Sequence, residues 1–170
     1  AGTKTAAKIK REMGDHCSVT ILNKGDDISY AGCGLPYYVG KIIEDKSSLI
    51  VNTPESFSKL TGAEVRCGVE VTSIDRNAKQ VTLKTFSTGE KENLSYDKLV
   101  IATGADPIKP PIPGIDLPGV FFMRTPNDAI KLRDSIENGI KRAVVIGGGF
   151  IGLEIAENLS AMGIRVSVVD

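Results

Sequence analysis

A glycine-rich stretch near the C-terminal end constrains this chain more than any other feature. An apolar run, Arg142–Ile146, leads directly into the pattern Gly-x-Gly-x-x-Gly at Gly147, Gly149 and Gly152. A helical pattern follows and ends at Gly163, and a second apolar run comes after it. This order predicts a strand, a tight turn, a helix and a second strand, which is a unit of a parallel sheet.

Each glycine of this pattern has a physical purpose in dinucleotide binding. Gly147 permits the tight turn, Gly149 lets a pyrophosphate approach the backbone, and Gly152 lets the helix pack close to the strand. The helix N-terminus then offers free N–H groups and a partial positive charge to the phosphates. Asp170 ends the second strand, where a carboxylate accepts hydrogen bonds from a ribose 2′-hydroxyl and repels a 2′-phosphate, so NAD is favoured over NADP. The alternative is a turn of the same shape that binds no ligand.

Composition excludes several classes of function. The 170 residues carry a net charge of zero, so nothing indicates binding to nucleic acid or to a charged membrane surface. No apolar run approaches the ~20 residues of a membrane span, and the single His16 has no metal-ligand pattern around it. The three cysteines are odd in number and irregularly spaced, which fits a reducing compartment better than a disulfide framework. We therefore expect a cytoplasmic protein without a bound metal.

The N-terminal part has the pattern of a second dinucleotide-binding unit. Residues 2–13 are predicted to be helical, and Gly2 suits the last glycine of a first Gly-x-Gly-x-x-Gly. Ser18–Leu22 alternates like a strand, and Asn23 follows it at the ribose position. Because the strands that would pair with these units are missing, we expect the chain to be a piece of a longer protein.

One face of the predicted N-terminal helix is basic. Lys4, Lys8 and Arg11 are spaced so that they share this face. It is either a solvated surface or a stripe that binds phosphate groups.

A short segment, residues 29–40, combines glycines, tyrosines and one cysteine. Cys33 stands between Gly32 and Gly34, where the backbone can come close to a flat ligand. A helix that begins at or after Cys33 would stabilise its thiolate and make it a better nucleophile. The alternative is a small buried apolar residue.

The middle of the chain is predicted to contain an antiparallel meander of Val65–Ile74, Gln80–Phe86 and Lys91–Leu94. A buried strand, Lys98–Ala102, follows, and the proline-rich segment 106–118 after it is the best candidate for a domain boundary. Two further helices are predicted. One is at residues 53–61, capped by Thr53, and one begins after Thr125 and stops at Gly139.

The order of these features resembles the pyridine nucleotide–disulfide oxidoreductase family. The motif Ser29-Tyr30-x-x-Cys33-Gly34-Leu35-Pro36-Tyr37-Tyr38 is similar to the single-cysteine branch, which holds coenzyme A-disulfide reductases, persulfide reductases, and NADH oxidases and peroxidases. The resemblance implies an α/β fold of two tandem Rossmann-like modules, with parallel sheets and an antiparallel meander. It implies an FAD-binding domain at 1–108 and an NAD-binding domain at 109–170, both incomplete in this chain.

The resemblance also implies roles for individual residues, with Cys33 as the catalytic thiol against the flavin. The residues implied to contact FAD are Gly2, Asn23, Lys24, Val71, Ala102 and Thr103. The residues implied to contact NADH are Gly147, Gly149, Phe150, Ile151, Gly152, Glu154 and Asp170. The residues implied to contact a coenzyme A-like substrate are Lys4, Lys8, Arg11 and Ser29. The family usually has Glu at the position of Asn23, and coenzyme A-disulfide reductases usually have Asn at the position of Gly32.

The function implied is an FAD-dependent NADH oxidoreductase that reduces a small disulfide or persulfide through Cys33, in a full-length protein that is a homodimer. One alternative is an NADH oxidase or peroxidase whose cysteine cycles through a sulfenic acid. Others are a flavin reductase that feeds electrons to a carrier protein, and an inactive nucleotide-binding module.

Overall fold

The computed structural model describes residues 1–170, which divide into two compact units. The first unit consists of Ala1–Ser29 and Asn52–Gly104. The second consists of Tyr30–Val51 and Ala105–Asp170. The chain passes from the first unit to the second at Gly104–Ala105, near the predicted boundary at residue 108. The segment Tyr30–Val51, which contains Cys33, belongs to the second unit together with the C-terminal residues. The assignment of one cofactor to each domain stays a prediction.

The chain contains five α-helices and nine short strands. The helices are α1 (Gly2–Met13), α2 (Leu35–Val39), α3 (Pro54–Thr61), α4 (Pro126–Glu137) and α5 (Phe150–Ala161). The strands are β1 (Thr20–Asn23), β2 (Ser29–Tyr30), β3 (Ile50–Asn52), β4 (Glu64–Cys67), β5 (Val69–Asp75), β6 (Gln80–Thr85), β7 (Lys91–Ser95), β8 (Arg142–Ile146) and β9 (Arg165–Val169). The predicted α/β class is confirmed, with parallel pairings and an antiparallel meander.

In the first unit, β1 pairs in parallel with β4, from Thr20 opposite Glu64 to Asn23 opposite Cys67. The predicted strand Val65–Ile74 is therefore wrong as a single element. Gly68 has φ +69° and divides it, so its first part joins the parallel pair and its second part joins the meander. A residue with a side chain rarely adopts that conformation, which is why the strand changes partners at a glycine.

The meander itself forms as predicted, in the order β5-β6-β7. Its central strand β6 buries Val81 and Leu83 almost completely. A separate small core holds α1 and α3 against the parallel pair and is centred on Ala6, Phe57 and Ala63.

In the second unit, β8 and β9 pair in parallel from Arg142 opposite Arg165 to Ile146 opposite Val169. The core of this unit is formed by buried side chains from α2, α4, α5 and their flanking loops: Leu35, Tyr38, Val39, Leu49, Ala129, Ile136, Ile155, Leu159 and Ile164. The helix that follows the cysteine is therefore packed in one core with the helices of the glycine-rich unit.

Two helices begin at the residues that their sequences predict. The Thr53 hydroxyl accepts a hydrogen bond from the Ser56 N–H at the start of α3. At the start of α4, the Thr125 hydroxyl accepts from the Asp128 N–H, and the Asp128 carboxylate accepts from the Thr125 N–H at 2.7 Å. This reciprocal pair is a capping box, and such a cap contributes about 1 kcal/mol.

The predicted buried strand Lys98–Ala102 is wrong. No strand pairs with these residues, and Val100 and Ile101 are 56% and 70% exposed. A β-strand needs a neighbour for its N–H and C=O groups, so an apolar β-branched run does not form one without a partner. No helix of the chain is both long enough and apolar enough to cross a membrane.

Candidate functional site

The glycine turn after β8 brings the C-terminal candidate residues together. Gly147 has φ +104°, and its N–H donates to the Val169 carbonyl at 2.8 Å, so the turn leaves β8 beside the end of β9. A Cβ atom on Gly152 would overlap the carbonyl oxygen of Gly147. The first turn of α5 therefore packs directly against the strand end, and only glycine fits at position 152.

The open side of this turn suits an anionic group. A Cβ atom on Gly149 would meet nothing within 4 Å, so the backbone there is accessible. No side chain caps the N-terminus of α5, whose first N–H groups are left for another acceptor. The Asp170 carboxylate lies beside the turn and accepts a hydrogen bond from the Gly148 N–H at 2.8 Å.

Three more candidates lie in the first turns of α5. Phe150 is 89% exposed and Ile151 is 58% exposed, whereas Glu154 is half-buried. A Phe ring exposed to this extent beside the glycine turn can cover a flat ligand.

In the first unit, Gly2 begins α1, and no side chain caps this helix. A Cβ atom on Gly2 would lie 3.3 Å from the Cβ of Ala102, so these two predicted residues are neighbours. Thr103, next to Ala102, is exposed. The uncapped N-terminus of α1 can bind an anion in the same way as that of α5.

The other candidates of this unit lie at the ends of its strands. The Asn23 amide, at the end of β1, donates to the Gly25 carbonyl at 2.8 Å and to the Asp27 carbonyl at 3.4 Å. Lys24 pairs with Glu70 at 2.7 Å, and the pKa of Glu70 is lowered by the hydrogen bond from this ammonium group. The side-chain N–H groups of Asn23 are thus used in hydrogen bonds to the loop that directly follows β1. Val71, on β5, is 40% exposed.

Cys33 lies in a single 3₁₀ turn, Gly32–Gly34, and is exposed. The loop is fixed on both sides of the thiol, since the Ala31 N–H donates to the Leu49 carbonyl at 2.8 Å and the Gly34 N–H donates to the Ala31 carbonyl at 2.9 Å. The thiol is therefore accessible on a held backbone. Ser29, in β2, is half-buried.

The other two cysteines have different surroundings. Cys67 is half-buried, and its thiol donates to the Asp26 carbonyl at 3.4 Å. Burial raises the pKa of Cys67, which makes its thiolate rarer and the thiol less reactive. Cys17 is half-buried as well, and no disulfide joins the three. Cys33 is the one exposed thiol of the chain.

The predicted basic face of α1 exists. Lys4, Lys8 and Arg11 are all exposed, and Lys8 is paired with Glu12 one turn later. Lys10, in contrast, has a largely covered side chain that donates to the Gly14 carbonyl at 2.8 Å and so caps the helix end. The basic face of α1 can attract phosphate groups, although Glu12 partly neutralises the charge of Lys8.

A cavity of about 440 Å³ in the second unit was not predicted. Its basic lining residues are Lys109, Arg124 and Lys131, next to Phe121 and Phe122. In the sequence, three basic residues flank two adjacent phenylalanines, and this pattern could have indicated the cavity. These residues are spread over 23 positions, however, and only the fold brings them together. No cluster of three or more His, Cys, Asp or Glu side chains in the chain could hold a metal ion.

Comparison with known proteins agrees with this geometry. Residues 1–170 match the model of the family described as pyridine nucleotide-disulphide oxidoreductase. An NADH oxidase of Enterococcus faecalis is 37% identical over 172 residues, covering 100% of this chain and 37% of the relative. A coenzyme A disulfide reductase of Staphylococcus haemolyticus is 34% identical, covering 99% of this chain and 38% of the relative.

Solved structures give the same result. An NAD-dependent persulfide reductase from A. fulgidus superposes with a TM-score of 0.94 at 42% identity, covering 99% of this chain and 31% of that one. A water-forming NADH oxidase from Lactobacillus brevis, bound to NADH, has a TM-score of 0.93 at 36% identity, covering 99% of this chain and 37% of that one. The chain thus spans less than two fifths of the length of these relatives, and over that whole span it belongs to the pyridine nucleotide-disulphide oxidoreductase family.

Proposed function

We propose that this chain belongs to an FAD-dependent NADH oxidoreductase that reduces a small disulfide or persulfide through Cys33. The observation that carries the proposal is the exposure of Cys33, which stands on a hydrogen-bonded glycine loop while the other two thiols are half-buried. Relatives named coenzyme A disulfide reductase and coenzyme A polysulfide/persulfide reductase support the substrate class.

Family membership implies FAD and a nicotinamide nucleotide as cofactors, and the residues present fit both. For the nicotinamide nucleotide, Gly147, Gly149 and Gly152 form an open turn at an uncapped helix, and Asp170 lies beside it. This donor and acceptor set suits a pyrophosphate and an unphosphorylated ribose. We assign Phe150, Ile151 and Glu154 to the nicotinamide side of the same site.

For FAD, the corresponding features are the uncapped start of α1 at Gly2 and the strand end at Asn23 and Lys24. We assign Ala102, Thr103 and Val71 to the same cofactor. Asn23 uses its N–H donors within the loop, so its carbonyl oxygen is the group that would accept a ribose hydroxyl. FAD, when bound, relays the two electrons of NADH to sulfur.

The chemistry of Cys33 is a thiol–disulfide exchange. Its thiolate attacks one sulfur of a disulfide, a new S–S bond forms to Cys33, and the other half leaves as a thiolate. Two electrons and a proton from NADH then return Cys33 to its thiolate and release the second half as a thiol, while the half that left first takes a proton from solvent. The residues assigned to a coenzyme A-like half are Lys4, Lys8, Arg11 and Ser29.

A second function has support from the relatives named NADH oxidase. In this case Cys33 would be oxidised to a sulfenic acid by a peroxide and reduced again with release of water. Non-reducing mass spectrometry of the Cys33 peptide distinguishes the two functions. A coenzyme A or persulfide adduct supports the reductase, and a single added oxygen supports the oxidase or peroxidase.

The test of the main proposal is Cys33→Ser, with Cys17→Ser as the matched control. We expect Cys33→Ser to abolish NADH-dependent reduction of coenzyme A disulfide, while Cys17→Ser keeps it. Full activity in Cys33→Ser would refute the role of Cys33 and favour a flavin reductase that serves a carrier protein. A visible absorption spectrum without a flavin band, together with NADH binding, would instead indicate a nucleotide-binding module alone.

Three wider assignments belong to the same proposal. The FAD-binding domain corresponds to residues 1–108 and the NAD-binding domain to 109–170. The full-length protein is a homodimer, and it works in the cytoplasm, where three free thiols stay reduced.

A further inference from the structure

The segment that carries Cys33 is anchored by a helix of the glycine-rich unit. Cys33 is followed at once by α2, which is only five residues long. A helix of this length is not stable alone, because its nucleation costs more than its few hydrogen bonds return. The contacts that surround α2 therefore set its position. They also set the direction in which the preceding turn presents the Cys33 side chain.

Arg133, on α4, supplies a large part of these surroundings. Its Nη1 atom donates to the carbonyl oxygens of Tyr38, Ile43 and Glu44 at 3.3, 3.2 and 3.0 Å. An Nη nitrogen carries two hydrogens, so three carbonyls share them. Tyr38 lies in the last turn of α2, and its carbonyl also accepts a hydrogen bond from the Lys41 N–H at 3.2 Å. Arg133 thus joins the end of α2 to the loop that follows.

The guanidinium group is held on two further sides. It lies 4.5 Å from the centre of the Tyr38 ring, within the range of a cation–π interaction. Its Nε atom is 3.5 Å from the Glu137 carboxylate, which also pairs with Lys41 at 2.9 Å. The Arg133 side chain is only 14% exposed. A side chain with this many partners is held in one orientation. The three carbonyls that it binds are therefore held in place as well.

A second contact comes from α5, the helix that begins at the glycine turn. Asn158 is 5% exposed, and its amide donates to the Glu154 carbonyl at 2.8 Å. A Cβ atom on Gly40, the residue directly after α2, would overlap the Asn158 side chain. The end of α2 is therefore pressed against α5 as well as bound to α4.

We propose that Arg133 is a positioning residue for the redox thiol. By binding the carbonyls of Tyr38, Ile43 and Glu44, it fixes the C-terminal end of the segment whose N-terminal end presents Cys33. The inference rests on the proposed function, because it concerns the reactivity of the same thiol. It assigns to Arg133 no contact with the substrate or with either cofactor.

The test compares Arg133→Met with Arg133→Lys in the purified protein, and Arg142→Met serves as the control. Arg142 is an exposed arginine of the same unit, at the start of β8. We expect Arg133→Met to lower the kcat of NADH-dependent coenzyme A disulfide reduction about tenfold, since small errors in placement have effects of this size or larger. The KM for NADH should stay within about twofold, and Arg133→Lys should recover at least part of the loss.

Alkylation gives a second readout that needs no turnover. The rates at which iodoacetamide modifies Cys33 and Cys17 are measured in each variant by mass spectrometry. We expect the ratio of the two rates to change about threefold or more in Arg133→Met and to stay constant in Arg142→Met. An unchanged ratio together with an unchanged kcat would overturn the proposal. If Arg133→Met does not fold, the same two measurements on Arg133→Gln, which keeps a polar side chain but removes the guanidinium contacts, decide the question.

The two hypotheses fail in different ways. If Cys33→Ser keeps full activity, the proposed function is wrong, whatever Arg133 does to the alkylation ratio. If Cys33→Ser is inactive and both Arg133 variants behave like Arg142→Met, the function stands and the positioning role does not.

Discussion

Helices α1 and α5 both lack a side-chain cap and both have a glycine in the first turn, and they differ in how tightly that glycine is enclosed. At the start of α5, a side chain on Gly152 would overlap the backbone of Gly147. At the start of α1, a side chain on Gly2 would only touch the methyl group of Ala102, at 3.3 Å. Glycine is thus sterically required at position 152. At position 2, a side chain would need only a small shift of its neighbour.

The strand ends that accompany the two helices also differ. After α5, β9 leads to Asp170, whose carboxylate accepts a hydrogen bond from the glycine turn itself. After α1, β1 ends at Asn23, whose amide donates to the carbonyls of the following loop. Asp170 thus contacts its glycine turn as an acceptor, whereas Asn23 contacts its own loop as a donor, so the two strand ends differ in chemistry although the elements follow in the same order.

The largest difference is expected for alanine at the two glycines. Gly152→Ala forces α5 away from β8, and we expect it to destabilise the protein by roughly 3 kcal/mol and to raise the Kd for NADH at least tenfold. Gly2→Ala should change the free energy of unfolding by less than about 0.5 kcal/mol. Urea unfolding and a fluorescence titration with NADH measure both quantities.

Gly149→Ala is the internal control for this comparison. Nothing lies within 4 Å of the added methyl group, so the fold should be unaffected while the approach of a pyrophosphate is blocked. A normal Kd for NADH in Gly149→Ala would contradict the phosphate-binding role of the turn.

The next effect concerns the acid that ends β9. Asp170→Asn keeps an acceptor for the Gly148 N–H but removes the negative charge that opposes a 2′-phosphate. We expect the preference for NADH over NADPH, measured as the ratio of the two Kd values, to fall about tenfold. Asp97→Asn, at an exposed position in the first unit, should leave the ratio unchanged. An unaltered ratio in Asp170→Asn would remove Asp170 from the site.

A smaller effect is expected at the end of β1. Asn23→Asp removes both amide donors and leaves the carbonyls of Gly25 and Asp27 without them, so we expect a loss of about 1–2 kcal/mol in the free energy of unfolding. Asn77→Asp is the matched change in a turn where the backbone N–H makes the bond. Equal stability of the two variants would show that the Asn23 amide does not hold its loop.

The smallest effect is a dependence on pH. The hydrogen bond from Lys24 lowers the pKa of Glu70 below its ordinary 4.5, so the pair stabilises the folded state above that pH, and the stabilisation is lost as the pH falls through the lowered pKa. We expect the fall in Tm between about pH 5 and pH 3 to be about one degree smaller in Glu70→Gln than in the unmodified protein. The effect is small because both side chains of the pair are solvent-accessible. A steeper fall in Glu70→Gln than in the unmodified protein would contradict this assignment.

Much of the fold was predictable because local rules and tertiary structure agree. The caps at Thr53 and Thr125, the helix after Gly149 and the meander all follow from side chains near each other in sequence. The prediction failed at Lys98–Ala102, whose apolar pattern resembles that of β8. Arg142–Ile146 forms a strand because β9 lies beside it, and Lys98–Ala102 has no such neighbour.

For the candidate site, the spacing of residues along the chain points to the glycine turn and Asp170, whereas the candidacy of Cys33 depends on the resemblance of its segment to a known family. Spacing does not identify Arg133, which is 89 to 95 positions from the carbonyls it binds. Nor does it show that Cys33 is the exposed thiol and Cys67 a half-buried one. Short-range patterns record which backbone conformations and caps a sequence prefers. Burial, pKa and long-range hydrogen bonds depend on which segments become neighbours, and only the tertiary structure decided those.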